Sequence, residues 1–156
     1  MIQFADNLNI TEYHGNLFSR QETSSVRKLH QQAPGFGKTP LVSLSDFADR
    51  AGIRAVLVKD ESPRFGLNAF KGLGGIYAVF RVICRELSLD PEHTTIEMLQ
   101  KEPFASAIQQ MTFATTTDGN HGKGVSWAAK VFGGRACVFM PAGTVEVRAQ
   151  AIREAG

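Results

Sequence analysis

A lysine followed by three closely spaced glycines is the first feature of this sequence that suggests chemistry. Lys71 stands at the start of an apolar, helix-forming stretch, and Gly72, Gly74 and Gly75 follow it. Glycine costs about 1 kcal/mol relative to alanine inside a helix, so this cluster predicts that another group approaches the backbone closely. A cationic side chain is also unfavourable at the positive end of a helix dipole. A functional amine explains both features; the alternative is a solvated lysine beside a flexible turn.

The second candidate is a polar, glycine-containing segment at residues 115–124, which reads TTTDGNHGKG. It lies between a predicted strand and a predicted helix. Ligands of parallel α/β sheets bind at such carboxyl ends of strands, so the segment predicts contacts with a small molecule. The structural alternative is that Asp118 or Asn120 caps the following helix while the glycines permit a tight turn.

Familiar phosphate, dinucleotide and metal patterns are incomplete in this sequence. The GKT at residues 37–39 lacks the earlier glycine of a P-loop, because Gln32 stands there, and Pro40 disfavours the required helix start. The glycines from residue 72 begin a G-x-G-x-x-G pattern that fails at Tyr77, so we expect no Rossmann dinucleotide site. The four histidines lack the spacing of metal ligands, and we expect no metal site.

Alternating strands and helices must position these two segments. In chain order, apolar periodicity and turn residues predict a helix at 24–32, a loop at 31–37, a helix that follows a capping-box spacing at 43–46 and ends near Gly52, a strand at 55–58, a long helix from Phe70, a short helix capped at 94–97, a strand at 111–115, a helix from His121, a strand at 136–140, and a helix from Thr144. The strands at 55–58 and 136–140 read as buried. This order predicts an α/β fold, a parallel sheet with helices on both faces.

The long helix is the clearest of these elements. Its apolar positions recur at helical spacing: Leu73, Ile76, Tyr77, Phe80, Ile83 and Leu87. After an N-terminal arm the whole chain, residues 1–156, looks like one continuous unit with no internal domain boundary. Gly156 stands where a helix would turn into a further strand. We therefore expect an incomplete fold.

Composition narrows the classes of partner. The 156 residues carry 17 basic and 15 acidic side chains, a net charge of +2, which offers no broad electrostatic footprint for nucleic acid or an anionic membrane. No apolar stretch approaches the roughly 20 residues of a membrane span, and the first residues do not resemble a signal peptide. Two cysteines are too few for a disulfide framework. We expect a cytoplasmic protein with a small-molecule partner.

Three stretches together resemble the diaminopropionate ammonia-lyase family of fold-type II pyridoxal-phosphate enzymes, which are similar to the tryptophan synthase β-subunit. They are RFGLNAFK at residues 64–71, ATTTDGNHG at residues 114–122 and MPAG at residues 140–143. The TPL at residues 39–41 is also similar to an element that precedes the first strand in this superfamily. The resemblance covers nearly the whole chain and implies the N-terminal part of that fold.

The resemblance implies roles for three residues. Lys71 would bond through its amine to the aldehyde of pyridoxal 5'-phosphate, and Asn120 would contact the 3′-hydroxyl of the pyridine ring. Such a lysine must be held partly desolvated or beside another positive group, which a glycine-lined pocket permits. Asp118 stands where threonine dehydratases and cysteine synthases carry a small uncharged residue, and an acid there implies a second catalytic base.

The implied reaction is the β-elimination of ammonia from D- or L-2,3-diaminopropionate, which gives pyruvate and ammonia. The family also implies a homodimer. Its phosphate-binding glycine loop, the partner of the pyridine nitrogen and a further acid all lie in a downstream half that this chain lacks. Two alternatives stay open: a threonine or serine dehydratase, against which Asp118 argues, and a catalytically silent remnant that persists as a binding or assembly module.

Overall fold

The computed structural model describes residues 19–156. Its helices are α1 (Arg20–Gln32), α2 (Ser45–Ala51), α3 (Lys71–Glu86), α4 (Ile96–Leu99), α5 (Phe104–Gln109), α6 (Asn120–Phe132) and α7 (Glu146–Ala155), with a single 3₁₀ turn at Arg64–Gly66. Its strands are β1 (Leu41–Ser43), β2 (Leu57–Lys59), β3 (Thr112–Thr116) and β4 (Arg135–Phe139). The predicted N-terminal arm and His14 lie outside the described residues. Within residues 19–156, no helix is long and apolar enough to cross a membrane.

Strands β3 and β4 and the helix between them form a strand–helix–strand unit. The two strands are parallel, and Thr116 at the end of β3 lies opposite Phe139 at the end of β4. Helix α6 follows the carboxyl end of β3 and stops at Gly133, whose left-handed φ of 81° glycine adopts readily. The alternation predicted for this half of the chain is confirmed, and the molecule belongs to the α/β class.

Helices α3 and α6 pack side by side in the core. A Cβ atom on Gly75 would lie 2.6 Å from the carbonyl oxygen of Gly124, so only glycine permits this approach of the two backbones. Further along the same helices, the rings of Phe80 and Phe132 lie 6.3 Å apart between centroids. The helices therefore run in the same direction, and their N-termini lie at the same end. The long apolar helix predicted from residue 70 is confirmed as α3.

Strands β1 and β2 form a separate, antiparallel pair in which Val42 lies opposite Val58. The order of elements predicts that the strand at 55–58 belongs to one parallel sheet with the two later strands, and this is wrong. That strand is β2, which pairs instead with β1, a strand that the sequence analysis does not predict, because the chain returns in the opposite direction after the 7 residues of α2. The prediction that the strand near 55–58 is buried is also wrong. Leu57 is 60% exposed and Val58 is 41% exposed, because an apolar strand is buried only where another layer covers it.

Two further local predictions change in the structure. The capping box at residues 43–46 does not form, because Ser43 belongs to β1 and Leu44 precedes α2 without a capping side chain. The Leu44 N–H donates instead to the carbonyl oxygen of Val56 at 2.9 Å, which extends the strand pairing by one residue. Strand β4 alternates between half-buried and exposed residues rather than being buried throughout. In contrast, the short helix predicted to be capped within residues 94–97 is α4, and Thr95 is its cap, accepting from the Met98 N–H.

Candidate active site

Lys71 is the first residue of α3, and its side chain is exposed. Its Nζ lies 5.1 Å from the centroid of the Phe70 ring, a cation–π contact. The first turn of α3 contains no acidic residue to offset the ammonium charge at the positive helix end. The predicted position of Lys71 at the start of a helix is thus confirmed, but the expected desolvation is not, because the described residues leave the amine open to solvent.

The glycines after Lys71 have different surroundings. A Cβ atom on Gly72 would lie 2.8 Å from Phe65 Cδ2 and 2.9 Å from Leu67 Cδ1, and one on Gly75 would strike α6. These two glycines are therefore explained by the packing of the chain itself. A Cβ atom on Gly74 would meet no described atom within 4 Å. Gly74 alone leaves the backbone of the first turn open to an approaching ligand.

The segment that leads into α3, residues 61–71, is called the lysine loop below. Phe65 and Asn68 have positive φ values of 55° and 52°. Non-glycine residues pay for this conformation and keep it only where surrounding contacts impose it. One such contact is the stack of Phe65 on Trp127 of α6, with ring centroids 4.3 Å apart. Another is the hydrogen bond that Lys123 Nζ donates to the Leu67 carbonyl oxygen at 2.5 Å.

Arg64 anchors the other side of the lysine loop. It is only 8% exposed, and its Nε donates to Glu61 Oε2 at 2.7 Å while its Nη1 donates to the Gly37 carbonyl oxygen at 2.7 Å. Its Nη2 donates to Glu61 Oε1 at 3.1 Å and to Thr39 Oγ1 at 3.2 Å. Hydrogen bonds from Arg64 and then from Thr39 lower the pKa of Glu61 to about 2. The carboxylate in turn raises the pKa of the Arg64 guanidinium.

The segment between β3 and α6, residues 117–119, is called the aspartate loop below. Arg148 Nη1 of α7 donates to Asp118 Oδ2 at 2.6 Å, and both side chains are more than half exposed. Gly119 occupies the N-cap position of α6, and no side chain caps that helix. The alternative that Asp118 or Asn120 serves as a helix cap is therefore wrong. Among residues 19–156, the Asp118 carboxylate is held by one ion pair, and its side chain is more than half exposed.

The beginning of α6 is fixed against both neighbouring elements. A Cβ atom on Gly122 would lie 2.7 Å from Thr117 Cγ2, and one on Gly124 would lie 2.8 Å from the Lys71 carbonyl oxygen. Asn120 lies one helical turn before Gly124. Lys71, the aspartate loop and Asn120 thus occur at one end of the α3–α6 pair, at the carboxyl ends of β3 and β4. No described atom lies within 4 Å of a Cβ position on Gly119, so the backbone here is also accessible.

Sequence reasoning missed three residues that contact these segments. Arg64 lies within the stretch at residues 64–71 and Lys123 within the segment at residues 115–124, but neither receives a role from its sequence neighbours, and Arg148 lies outside every motif. Their partners lie 25 or more positions away in most of these contacts, at Thr39, Leu67 and Asp118, and no local spacing reveals such pairings. An arginine in a turn is usually exposed, so the sequence does not indicate that Arg64 is buried.

His30 contributes a contact from α1. Its Nε2 lies 2.8 Å from the Leu73 carbonyl oxygen in the first turn of α3. Burial lowers the pKa of His30, so the imidazole is neutral at neutral pH and donates this hydrogen bond through Nε2. Within residues 19–156, no group of three or more His, Cys, Asp or Glu side chains is arranged to hold a metal ion.

Comparison with known proteins bears on this arrangement. Diaminopropionate ammonia-lyase of Escherichia coli strain K12 is 46% identical over 156 residues, which is 99% of this chain and 38% of that protein. The protein of the same name from Salmonella typhimurium is 43% identical over 131 residues, 84% of this chain and 32% of its own length. The chain thus spans well under half the length of the curated relatives it matches.

A solved structure of the Escherichia coli diaminopropionate ammonia lyase in complex with D-serine superposes with a TM-score of 0.85 at 45% identity, covering 97% of this chain and 38% of that one. This match confirms the fold class predicted from the motifs, the α/β fold of part of a fold-type II enzyme. Residues 32–156 match the family described as pyridoxal-phosphate dependent enzymes. With that match spanning both candidate segments, the chain belongs to the pyridoxal-phosphate dependent enzyme family.

Proposed function

We propose that this chain is the lysine-bearing part of an ammonia-lyase that eliminates ammonia from 2,3-diaminopropionate and yields pyruvate and ammonia. The observation that carries the proposal is the contact of Gly124 with the Lys71 backbone, which brings the start of α3 to the aspartate loop. The 46% identity to diaminopropionate ammonia-lyase supports the substrate. A threonine or serine dehydratase is less well supported. At the position of Asp118, those enzymes carry a small uncharged residue, whereas this chain carries an acid.

The chemistry of the residues fits pyridoxal phosphate. Lys71 supplies an exposed primary amine as a nucleophile, and Asn120 supplies an amide that can hydrogen-bond. The open backbone at Gly74 and Gly119 leaves room for a flat ring. When bound, the cofactor supplies an electron sink for negative charge at the substrate Cα. Lys71 would hold the cofactor through Nζ, and the Asn120 amide would orient the ring through its 3′-hydroxyl.

Two different bases would then deprotonate the two enantiomers of the substrate. Once the substrate amine had displaced Lys71 Nζ from the cofactor, the freed Nζ would accept the Cα proton of L-diaminopropionate, and an Asp118 carboxylate oxygen would accept that of the D isomer. Both groups lie at the same end of the α3–α6 pair, and neither is hydrogen-bonded to another catalytic candidate among the described residues. Departure of the C3 amine completes the elimination, and the unsaturated product hydrolyses to pyruvate.

The isolated chain would hold only part of this site. It spans 38% of the relative it resembles, so we propose that residues 1–156 form an incomplete cofactor-binding region without an internal domain boundary, which needs a downstream half and a homodimeric partner for turnover. The free thiols of Cys84 and Cys137 support a cytoplasmic setting. The alternative that is not an enzyme is a catalytically silent remnant that persists as a binding or assembly module.

Chemical labelling tests the assignment of Lys71. The purified chain is incubated with pyridoxal phosphate, reduced with borohydride and digested, and the modified lysine is identified by mass spectrometry. We expect the adduct on Lys71 in preference to exposed lysines such as Lys28 and Lys101, and we expect it to disappear in Lys71→Gln. Labelling spread evenly over the lysines would refute the assignment.

Turnover distinguishes the incomplete enzyme from the silent remnant. We expect no pyruvate from the chain alone, and measurable pyruvate from diaminopropionate when the chain is fused to the downstream half of the ammonia-lyase relative. A folded chimaera that releases no pyruvate would favour the remnant. Rapid release of pyruvate by the chain alone would show that its site is complete.

A further inference from the structure

We propose that Arg64 is a positioning residue for Lys71, acting through the lysine loop rather than by touching a ligand. This inference rests on the proposed role of Lys71 as the amine that bonds to the cofactor. Arg64 lies seven positions before Lys71 and is nearly buried at 8% exposure. A buried guanidinium is costly unless its donors are satisfied, so its partners must be specific.

Four hydrogen bonds satisfy this guanidinium. Two go to the Glu61 carboxylate, from Nε at 2.7 Å and from Nη2 at 3.1 Å, in the forked geometry that only arginine can make. The other two reach a distant segment, at the Gly37 carbonyl oxygen and the Thr39 hydroxyl. Thr39 also donates to Glu61 and accepts from Lys59. Arg64 therefore fixes the start of the lysine loop to the chain that precedes β1.

The next residue transfers this constraint to the core. Phe65 has a positive φ of 55°. Its ring centroid lies 5.7 Å from Arg64 Cζ, and the ring also stacks on Trp127 of α6. The same ring and Leu67 fill the space beside Gly72, the second residue of α3. Arg64 thus holds Phe65 in a costly conformation that abuts the helix turn from which Lys71 projects.

Such a chain of contacts fixes the backbone from which the Lys71 side chain projects before any ligand arrives. Lysine at position 64 would keep the charge but supply a single point donor, which cannot bind Glu61 through two parallel bonds while also reaching Gly37 and Thr39. A shift of about 1 Å in a reacting group can lower a rate by about 100-fold. The structure therefore predicts that Arg64→Lys reduces the selective reactivity of Lys71.

The test compares Arg64→Lys with Arg85→Lys in the borohydride labelling of the full chain. Arg85 is a matched control because it also pairs with a glutamate, Glu86, at 2.8 Å, but on an exposed helix face. We expect the ratio of adduct on Lys71 to adduct on Lys101 to fall about 10-fold to 100-fold in Arg64→Lys and to stay within about twofold in Arg85→Lys. Circular dichroism at the labelling temperature confirms that each variant is folded.

Each outcome decides the question. A folded Arg64→Lys chain with the wild-type ratio would overturn the positioning role and leave the assignment of Lys71 intact. Evenly labelled wild-type chain would overturn both. If Arg64→Lys does not fold, Glu61→Gln replaces it, because that variant keeps the size of the partner side chain and weakens its paired hydrogen bonds with Arg64. A fall of about fivefold or more in the labelling ratio supports the proposal, and an unchanged ratio refutes it. A merely structural Arg64 would lower the melting temperature without changing the ratio in folded protein.

Discussion

The lysine loop and the aspartate loop both lead into the N-terminus of a helix, yet they are held in different ways. The lysine loop contains positive φ values at Phe65 and Asn68, and buried contacts impose them from both sides. The aspartate loop has an exposed ion pair between Asp118 and Arg148 and a short hydrogen-bonded turn in which the Gly119 N–H donates to Thr117 Oγ1 at 3.1 Å. One loop is held by buried packing, and the other by polar contacts of which the Asp118–Arg148 pair is exposed to solvent.

This difference suggests a division of labour within the proposed site. A lysine that bonds to a cofactor must point in one direction, because the bond fixes the position of everything attached to it. A base that removes a proton from one substrate hand needs only to come within hydrogen-bond reach, and its loop can adjust when the substrate arrives. The contacts that a loop makes within the folded chain therefore reflect how narrowly its functional group must be placed.

The largest expected effect concerns Asp118. In a chimaera completed with the downstream half of the ammonia-lyase relative, Asp118→Asn should lower kcat/KM for D-diaminopropionate by about 10²–10⁴-fold, the usual contribution of a general base. The rate with the L isomer should change much less. Pyruvate release from each isomer measures both values.

Asp49→Asn, an exposed substitution in α2, is the matched control and should affect neither isomer. Equal losses for the two isomers would assign Asp118 a role shared by both reactions, such as support of the loop. An unchanged rate with both isomers would show that Asp118 takes no part in the reaction. A capping role would not explain the residue either, because no side chain caps α6.

A second prediction tests whether packing holds the lysine loop. Phe65→Ala removes the stack on Trp127 and the contact beside Gly72, and it leaves a cavity, so unfolding free energy should fall by about 3–5 kcal/mol. Phe139→Ala, at the strand end beside the aspartate loop, should cost less than about 1 kcal/mol because Phe139 is already 61% exposed. Urea denaturation of the two variants measures the difference, and equal losses would contradict the comparison.

Much of the helical framework could be predicted from local sequence. The apolar spacing that defines α3, the Thr95 cap and the glycine after α2 depend on neighbours a few positions away. The positions of Lys71 and Asn120 at helix starts follow from the same local signals. The motifs then identified the family, because their residue types are specific in a way that periodicity is not.

The remaining features depend on contacts between distant parts of the chain. The antiparallel direction of β1 and β2, the exposure of Leu57 and the shift of the α2 start by the Leu44–Val56 hydrogen bond are set by pairing across α2. Likewise, nothing near Arg64 in sequence indicates that residues 37–39 accept its hydrogen bonds. Local patterns predict where elements form, and long-range packing decides which side of them is covered.

Acidification should weaken the lysine loop, because the Glu61 carboxylate that pairs with Arg64 becomes protonated. The pKa of Glu61 is lowered from 4.5 to about 2, so its pairing with Arg64 contributes fully above about pH 4.5 and is lost as the pH falls from there toward 2. The loss should amount to about 2 kcal/mol in unfolding free energy, within the limit that a shift of this size sets. Urea denaturation at pH 7 and pH 3 measures it.

Glu61→Gln provides the reference for that experiment, because it lacks the titrating group and should lose less stability between the two pH values than the wild type. Glu97→Gln is a control from an exposed pair with Lys101, and its pH dependence should match that of the wild type closely. An identical pH dependence in Glu61→Gln and wild type would show that the Arg64–Glu61 pair does not stabilise the loop.

The smallest expected effect distinguishes the two loops most directly. Arg148→Ala removes the only ion pair recorded for Asp118 among residues 19–156, yet both side chains are more than half exposed. Exposed pairs contribute about 0–1 kcal/mol, because water solvates the separated charges nearly as well. We expect a loss of at most about 0.5 kcal/mol in urea denaturation, and no difference from wild type in high salt, where the pair is screened. The same experiment on Arg153→Ala sets the scale for a pair outside the proposed site, because this variant breaks a comparable exposed pair with Glu146 within α7. A loss of 2 kcal/mol or more in Arg148→Ala alone would mean that contacts within the folded chain also fix the aspartate loop. The difference proposed between the two loops would then be wrong.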